Sequence, residues 1–284
     1  MRTIIDPVVI VKSYNNNIVT VKMNGVERIL FSKGIGFGKK SGDKIVKGTK
    51  VEKIFVIEDE DNLRNFEQVI ENVDDEFLML CEKMISYIAN ELKEDLDEKI
   101  HVALVDHLNF VMQRLSNDEE IENPFLMEIK ALYPIEYTLA EKVAETLQNE
   151  KKVNIPEGEI GYIALHIHSA RNFGKISNTL KSTYLMNLIV EHVEQQIEVQ
   201  IDKTSLDYAR FLTHLRFAIK RIVLNTSIKN DFIKEIKSRY KLSYKIAKGV
   251  SKILIKQLEK NVEEDEIAYL AMHIERFRIA STQA

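Results

Sequence analysis

Residues 107–171 and 214–278 are two versions of one segment: a shift of 107 positions lays the first on the second without a gap. His107 falls on His214 and His166 on His273, so each copy holds two histidines 59 residues apart. HLNFVMQR (107–114) matches HLRFAIKR (214–221), and NPFLMEIKALYP (123–134) matches NDFIKEIKSRYK (230–241). NIPEGEIGYIALHIHSAR (154–171) matches NVEEDEIAYLAMHIERFR (261–278), with nine of eighteen positions identical. A duplication of this length restricts the chain to an architecture with two like modules, each carrying the same pair of imidazoles.

The remaining residues bound the rest. At 284 residues, 45% hydrophobic and 30% charged, the chain is ordinary soluble globular material with room for two or three domains. No run of eighteen apolar residues occurs, so membrane insertion is not expected. The opening MRTIIDPVVIVK breaks its apolar stretch with Asp6 and Pro7, unlike a signal peptide, and Cys81 stands alone. Both point to a cytoplasmic protein without disulfides. Charge is split unevenly. Residues 1–58 hold eleven Lys/Arg against five Asp/Glu, a net of +6, and residues 59–284 hold twenty-nine against thirty-nine, a net of −10. A small basic head on an acidic body predicts that the head meets a polyanion.

Hydrophobic period separates the head from the body. VVIVKSY, IVTVKM, ERILF and VEKIFVI are β-branched and alternating, parted by NNN, by Asn24-Gly25 and by a glycine-lysine loop. They predict a small antiparallel sheet of about four strands, with Asn24-Gly25 as a tight hairpin. A charged linker follows, and from about residue 66 the period is helical; Leu104, Leu108, Val111 and Leu115 share one face. The expected divisions are 1–58 for the β head, 59–65 for the linker, and 66–172 and 173–284 for two homologous all-α helical bundles, with the seam in NFGKISNTL (172–180).

In each copy an arginine follows the first histidine by seven residues (Arg114, Arg221), and a glutamate precedes the second by seven (Glu159, Glu266). Residues seven apart share a helix face. Two such helices packed together would make a paired-histidine site with Arg, Tyr162 or Tyr269 and a carboxylate nearby. A neutral imidazole nitrogen is a nucleophile near pH 7 and accepts a phosphoryl group; the arginine pairs with the arriving dianion. Addition of roughly −2 charge between packed helices makes a switch. The other reading is a set of hydrogen-bonded core histidines. His101, His168 and His192 lack repeat partners and are expected to be structural or solvent-exposed. No HExxH or CxxC occurs, and no metal or cofactor is expected.

In the head, Asn15, Asn16 and Asn17 bridge two strands, and KGIGFGKKSGDK (33–44) joins Gly34, Gly36 and Gly38 with Phe37 and Lys33, Lys39, Lys40 and Lys44. Amides read base edges, lysines attract phosphates, and a phenyl ring between glycines stacks on an unpaired base. The rival is a glycine-rich turn with solvated lysines. The charge split favours RNA, and no helix-turn-helix is visible.

Together these words resemble the BglG/SacY/LicT family of bacterial transcription antiterminators over essentially the whole chain. NNN and KGIGFGKKSGD look like its co-antiterminator RNA-binding domain; VDH, ALHI, THLRF and MHIER look like its phosphotransferase-system (PTS) regulation domains. NPFLMEIKALYP and PEGEIGYIALHIHSA are most similar to the glucose-specific (GlcT-type) branch. The resemblance implies a non-enzymatic regulator whose head dimerises and binds a leader-mRNA antiterminator hairpin. It implies phosphorylation by HPr and the sugar-permease EIIB on His107, His166, His214 and His273, and RNA contacts at Asn15, Asn17, Lys33, Gly34 and Phe37, flanked by Asn16 and Ser32. Many relatives carry Arg at the Lys33 position and Gly at Ser32, and Lys lacks the planar fork of Arg. Two other classes are compatible with parts of the chain: a phosphocarrier-like component of the phosphotransferase system, and a metal-sensing DNA-binding regulator.

Overall fold

A computed structural model describes residues 2–56, 60–226 and 228–282. The chain opens with strands β1 (Arg2–Thr3), β2 (Val8–Ser13), β3 (Ile18–Met23), β4 (Val26–Phe31), β5 (Lys44–Ile45), β6 (Lys50–Val51) and β7 (Lys53–Phe55). Eleven helices follow among the described residues: α1 (Glu60–Asn72), α2 (Asp75–Leu92), α3 (Ile100–Ser116), α4 (Leu126–Leu132), α5 (Pro134–Lys151) and α6 (Glu157–Arg171), then α7 (Ile176–Ile197), α8 (Leu206–Leu224), α9 (Ile233–Arg239), α10 (Lys241–Leu258) and α11 (Glu264–Thr282). The fold class is the one expected: a small β head followed by two like helical modules. The end of the fourth expected strand and the start of the linker, residues 57–59, lie outside the described residues. From Glu60 the linker is helix. Four residues, 172–175, separate α6 from α7, so most of NFGKISNTL is helical.

The sheet is antiparallel, in the order β5-β2-β3-β4-β7, beside a β1-β6 pair. Met23 pairs with Val26 across Asn24 (φ 52°) and Gly25 (φ 82°), a two-residue turn with both central φ positive. Val19, Val21 and Leu30 point into a core with Ile4, Ile10, Ile35, Ile45 and Val51. The other face is covered too. Ile18 and Thr20 of β3 are buried, and the Thr20 hydroxyl bonds to the Tyr14 hydroxyl at 3.2 Å. Tyr14 in turn meets Phe66 of α1 edge to face, centroids 6.5 Å apart. A central strand buried on both sides explains why IVTV reads as an unbroken β-branched run.

Two compact units form. One comprises Met1–Glu120, Lys142–Pro156 and His166–Gly174, the other Ile121–Glu141, Glu157–Leu165 and Lys175–Ala284, so the divisions fall inside α5 and α6. In the first, α2 begins at Asp74, whose side chain accepts from the Phe77 N–H at 2.9 Å, and buries Phe77, Leu78, Cys81, Ile85 and Ile88. In the second, α4 lies on α7 and α8, with the fully buried Glu128 accepting from the Tyr208 hydroxyl at 2.6 Å and from Lys203 Nζ at 3.1 Å.

Glu82 ties the first unit together. This carboxylate, 2% exposed on α2, meets Lys53 Nζ of β7 at 3.1 Å and His101 Nδ1 of α3 at 2.8 Å. Burial alone would raise it, but His101 and Lys53 hold it at about 2. Removal of one member of a buried ion pair strands the others, at a cost of about 3–5 kcal/mol. Glu82→Ala is therefore expected to lower the melting temperature at pH 7. The carboxylate's contribution is present above its unfolded value of 4.5 and lost as pH falls toward about 2, so the gap from the parent should close in that window. A gap that stays constant from pH 7 to pH 3 in thermal denaturation would contradict this.

Candidate functional site

Two ring pairs lie at matched positions in the repeats. In the first unit, His107 on α3 faces His166 on α6, with centroids 4.8 Å apart and planes tilted by 31°. In the second, His214 on α8 stacks on His273 of α11 at 3.8 Å and 20°. The rows that bring them together are helical: Leu104, Leu108 and Val111 bury one face of α3, and Phe211, Leu212, Leu215 and Ile219 do so on α8. The histidines sit on the edge of that apolar stripe, half-buried.

Their electrostatics follow from position. Burial, then the neighbouring His166, then Arg114 lower His107 to about 3. Burial lowers His166 to about 4. Burial, then His214, Arg276 and Arg221 lower His273 to about 4. His214 is lowered by burial and by Arg221 and Arg276. All four rings are thus neutral at pH 7, because two imidazoles in contact, with a guanidinium nearby and partial desolvation, cannot share a proton cheaply. The Nε2 atom of His107 is buried.

In the second unit, His214 Nδ1 lies 2.8 Å from the Tyr269 hydroxyl. Arg221 makes a two-bond fork to Glu266 at 2.6 and 2.7 Å, and its guanidinium stands 4.9 Å from the Tyr269 ring. The heptad spacing of His214 and Arg221, and of Glu266 and His273, thus becomes one connected cluster. Arg114 lies two turns beyond His107 on α3. Of the other histidines, His101 is buried on Glu82, His168 is near the Asn172 amide, and His192 packs its ring on Gly249, where a Cβ would lie 2.3 Å from Nε2.

A matched pair of polar triads was missed in the sequence. Lys130 meets Glu157, whose Oε1 lies 3.4 Å from the Tyr137 hydroxyl; Lys237 meets Glu264, which lies 3.0 Å from the Tyr244 hydroxyl. Each member is displaced by 107 residues from its counterpart. That offset was the available signal, overlooked because isolated Lys, Glu and Tyr read as surface.

In the head, the asparagine bend and the glycine loop form one platform. Asn17 Oδ1 accepts from Gly34 N–H at 2.8 Å, and the Asn16 carbonyl accepts from Gly36 N–H at 3.0 Å. A Cβ on Gly36 would lie 2.2 Å from the Asn15 carbonyl, so that position tolerates no side chain. Gly34 (φ 74°) and Gly38 (φ 65°) turn the loop through the left-handed region. Phe37 is 74% exposed at its tip, with Lys33, Lys40 and Asn16 also exposed and Lys39 half-buried. Asn15 and Asn17 are half-buried, and Asn15 Nδ2 donates to Asp75 Oδ1 at 2.6 Å. Among the described residues no three His, Cys, Asp or Glu side chains are placed to hold a metal, and no helix is long and apolar enough to cross a membrane.

The lowered histidines set a pH dependence. Each is neutral in the fold but takes up a proton near 6.5 when unfolded, so the unfolded chain binds more protons between 6.5 and about 4. Stability is whole above 6.5 and should fall as pH drops through that range. His107→Asn combined with His166→Asn is expected to flatten the fall in melting temperature between pH 6.5 and 4; identical slopes in parent and variant would refute the buried neutral pair.

Comparison with known proteins places these features. The PRD domain model matches residues 82–170 and 187–277, and the CAT RNA binding domain model matches 8–64. The chain is 35% identical to Protein GlcT of Staphylococcus saprophyticus over 271 residues, 94% of this chain and 96% of that one. It is 32% identical to the transcription antiterminator LicT of Bacillus subtilis, over 94% of this chain and 98% of that one. A crystal structure of GlcT CAT-PRDI is similar, with a TM-score of 0.53 and 38% identity, covering 58% of this chain and 98% of that one. An RNA-binding head of the CAT type joined to two PRD repeats makes this chain a member of the BglG/SacY/LicT family of RNA-binding transcription antiterminators.

Proposed function

We propose that this chain is a cytoplasmic, non-enzymatic antiterminator of a sugar-utilisation operon, most simply a glucose-permease operon, that grips a leader-mRNA hairpin through its head as a homodimer. Residues 1–58 serve as the RNA-binding domain, 59–65 as linker, and 66–172 and 173–284 as regulation domains. The hairpin, once held, competes with an overlapping terminator. Asn15, Asn16, Asn17, Lys33, Gly34, Phe37, Lys39 and Lys40 carry the contacts. Asparagine amides offer donors and acceptors to base edges, lysines neutralise phosphates, and the exposed phenyl ring stacks on a splayed base.

The duplicated pair of neutral imidazoles supports the regulatory half of this reading more than any other observation. HPr and the permease EIIB are the phosphoryl donors in this reading. An unprotonated ring nitrogen of His107, His166, His214 or His273 attacks the donor's phosphorus in line, the bond from phosphorus to the donor side chain breaks with that side chain as leaving group, and a dianionic phosphohistidine remains on this chain. In the second repeat Tyr269 engages His214 Nδ1, so Nε2 is the nitrogen left to react there. In the first, His107 Nε2 is buried. A dianion placed against the second imidazole raises that ring's affinity for a proton and draws Arg114 or Arg221 toward it. A stacked neutral pair becomes a charged cluster, and the helices that carry it must repack.

A phosphocarrier that passes phosphate onward would leave the asparagine-glycine platform without a use. Two results are expected. Phe37→Ala should weaken hairpin binding by about ten- to a hundredfold, the loss of one stacked base, with no change in melting temperature. Labelling by phosphorylated HPr or EIIB should disappear when all four histidines are replaced by alanine. Undiminished labelling would remove the switch, and unchanged binding by the Phe37 variant would remove the platform. Sequencing of RNA recovered with the full chain identifies the operon.

A further inference from the structure

One residue of the RNA-contact set, Asn15, already has a partner on a helix. Asn15 Nδ2 donates to Asp75 Oδ1, in the first turn of α2, at 2.6 Å, and Asn15 Oδ1 accepts from the Asn17 N–H at 2.9 Å. Both ends of this amide are therefore engaged. One residue earlier, the Tyr14 hydroxyl donates to Glu67 Oε1 of α1 at 3.0 Å, and Lys12 Nζ meets the same oxygen at 2.9 Å. Lys12 also lies 4.8 Å from the centre of the Tyr14 ring. All of these groups belong to the first compact unit.

A carboxylate oxygen offers an amide and an ammonium the same acceptor chemistry as a base carbonyl or a phosphate oxygen. The head is basic and the body acidic, and one of these contacts, Lys12–Glu67, joins opposite charges. We propose that Glu67 and Asp75 form an internal latch that holds Asn15 of the platform, with its strand neighbours Lys12 and Tyr14, against helix carboxylates in place of RNA, so that this arrangement of the chain is a closed, RNA-excluding state. The inference rests on the reading of Asn15 as an RNA contact.

Three features fit a latch rather than a permanent fastening. It covers one end only: Lys33, Phe37 and Lys40 stay exposed. One of its acids is poorly placed for permanence, since burial and then the like charge of Asp74 raise Asp75. And it is mounted on the helices that answer to the histidines. α1 and α2 both pack on α3, which carries His107, and α2 is tied to α3 by the Glu82–His101 contact. Repacking of α3 would shift Glu67 and Asp75 relative to Lys12, Tyr14 and Asn15.

The test is filter retention of a pool of RNA hairpins with randomised loops by the full chain and its variants at fixed salt. Glu67→Ala with Asp75→Ala is expected to bind about tenfold tighter than the parent. Neutralising two exposed acids on the same helices, Glu71→Ala with Glu76→Ala, changes the net charge equally but touches nothing on the platform, and should leave retention at the parent level. Glu67→Gln with Asp75→Asn keeps side-chain shape and should give a smaller gain of the same sign. No gain in either latch pair beyond the Glu71/Glu76 control overturns the latch. Addition of Asn15→Ala to the released variant separates the premises: lost retention keeps the RNA reading, and undiminished retention sinks that reading and the latch with it.

Discussion

Two imidazoles pressed together at a helix–helix seam, beside a guanidinium and without room for a proton, are the constraint on which both repeats turn. A hydrophobic pair at the same place would pack as well and respond to nothing. A pair of exposed histidines would titrate near pH 6.5 and respond to pH. Half-burial sets the response between these extremes. The rings are neutral and nucleophilic at pH 7, yet any added charge is met by desolvation and by its neighbour, so it is felt as a change in packing.

The two repeats use this constraint differently. The second pair stacks more closely, 3.8 Å against 4.8 Å. The surface of each module's first long helices is also spent differently. In the first unit α2 and α3 receive the head through Glu82, Lys53 and His101. In the second, α7 and α8 receive α4 through Glu128, Asn187 and Tyr208. His101 and Tyr208 occupy the same repeat position, so one duplicated site has been adapted to two preceding neighbours. Glu235, the repeat counterpart of Glu128, is exposed.

Much of this was legible in the residues. The offset of 107 announced the two modules and the four histidines, because a duplicated segment must repeat its core pattern wherever it folds. Asn24-Gly25 announced its hairpin, because few other dipeptides accept two positive φ angles. Other features were hidden. The spacing put Arg221 and Glu266 near the histidines but could not show that they bind each other in a two-bond fork. His101, without a repeat partner, gave no sign of Glu82 and Lys53. The Lys130–Glu157–Tyr137 triad and its copy repeat at the same offset, yet each member is a residue type that usually faces water. The β5 strand, two residues long, fell below any alternation that a sequence can display.

The order of residues alone determined the kind of molecule: a cationic β head, a duplicated helical body, and a matched histidine in each of four places. These are local or periodic properties, set by backbone preference, side-chain spacing and charge, and they survive any packing of the elements. Only the tertiary structure decided which rings touch, which are held neutral, and which acids lie against the head. Contact distance and desolvation are properties of helices brought together from distant parts of the chain. Asn15 and Asp75 are sixty residues apart in sequence and 2.6 Å apart in space.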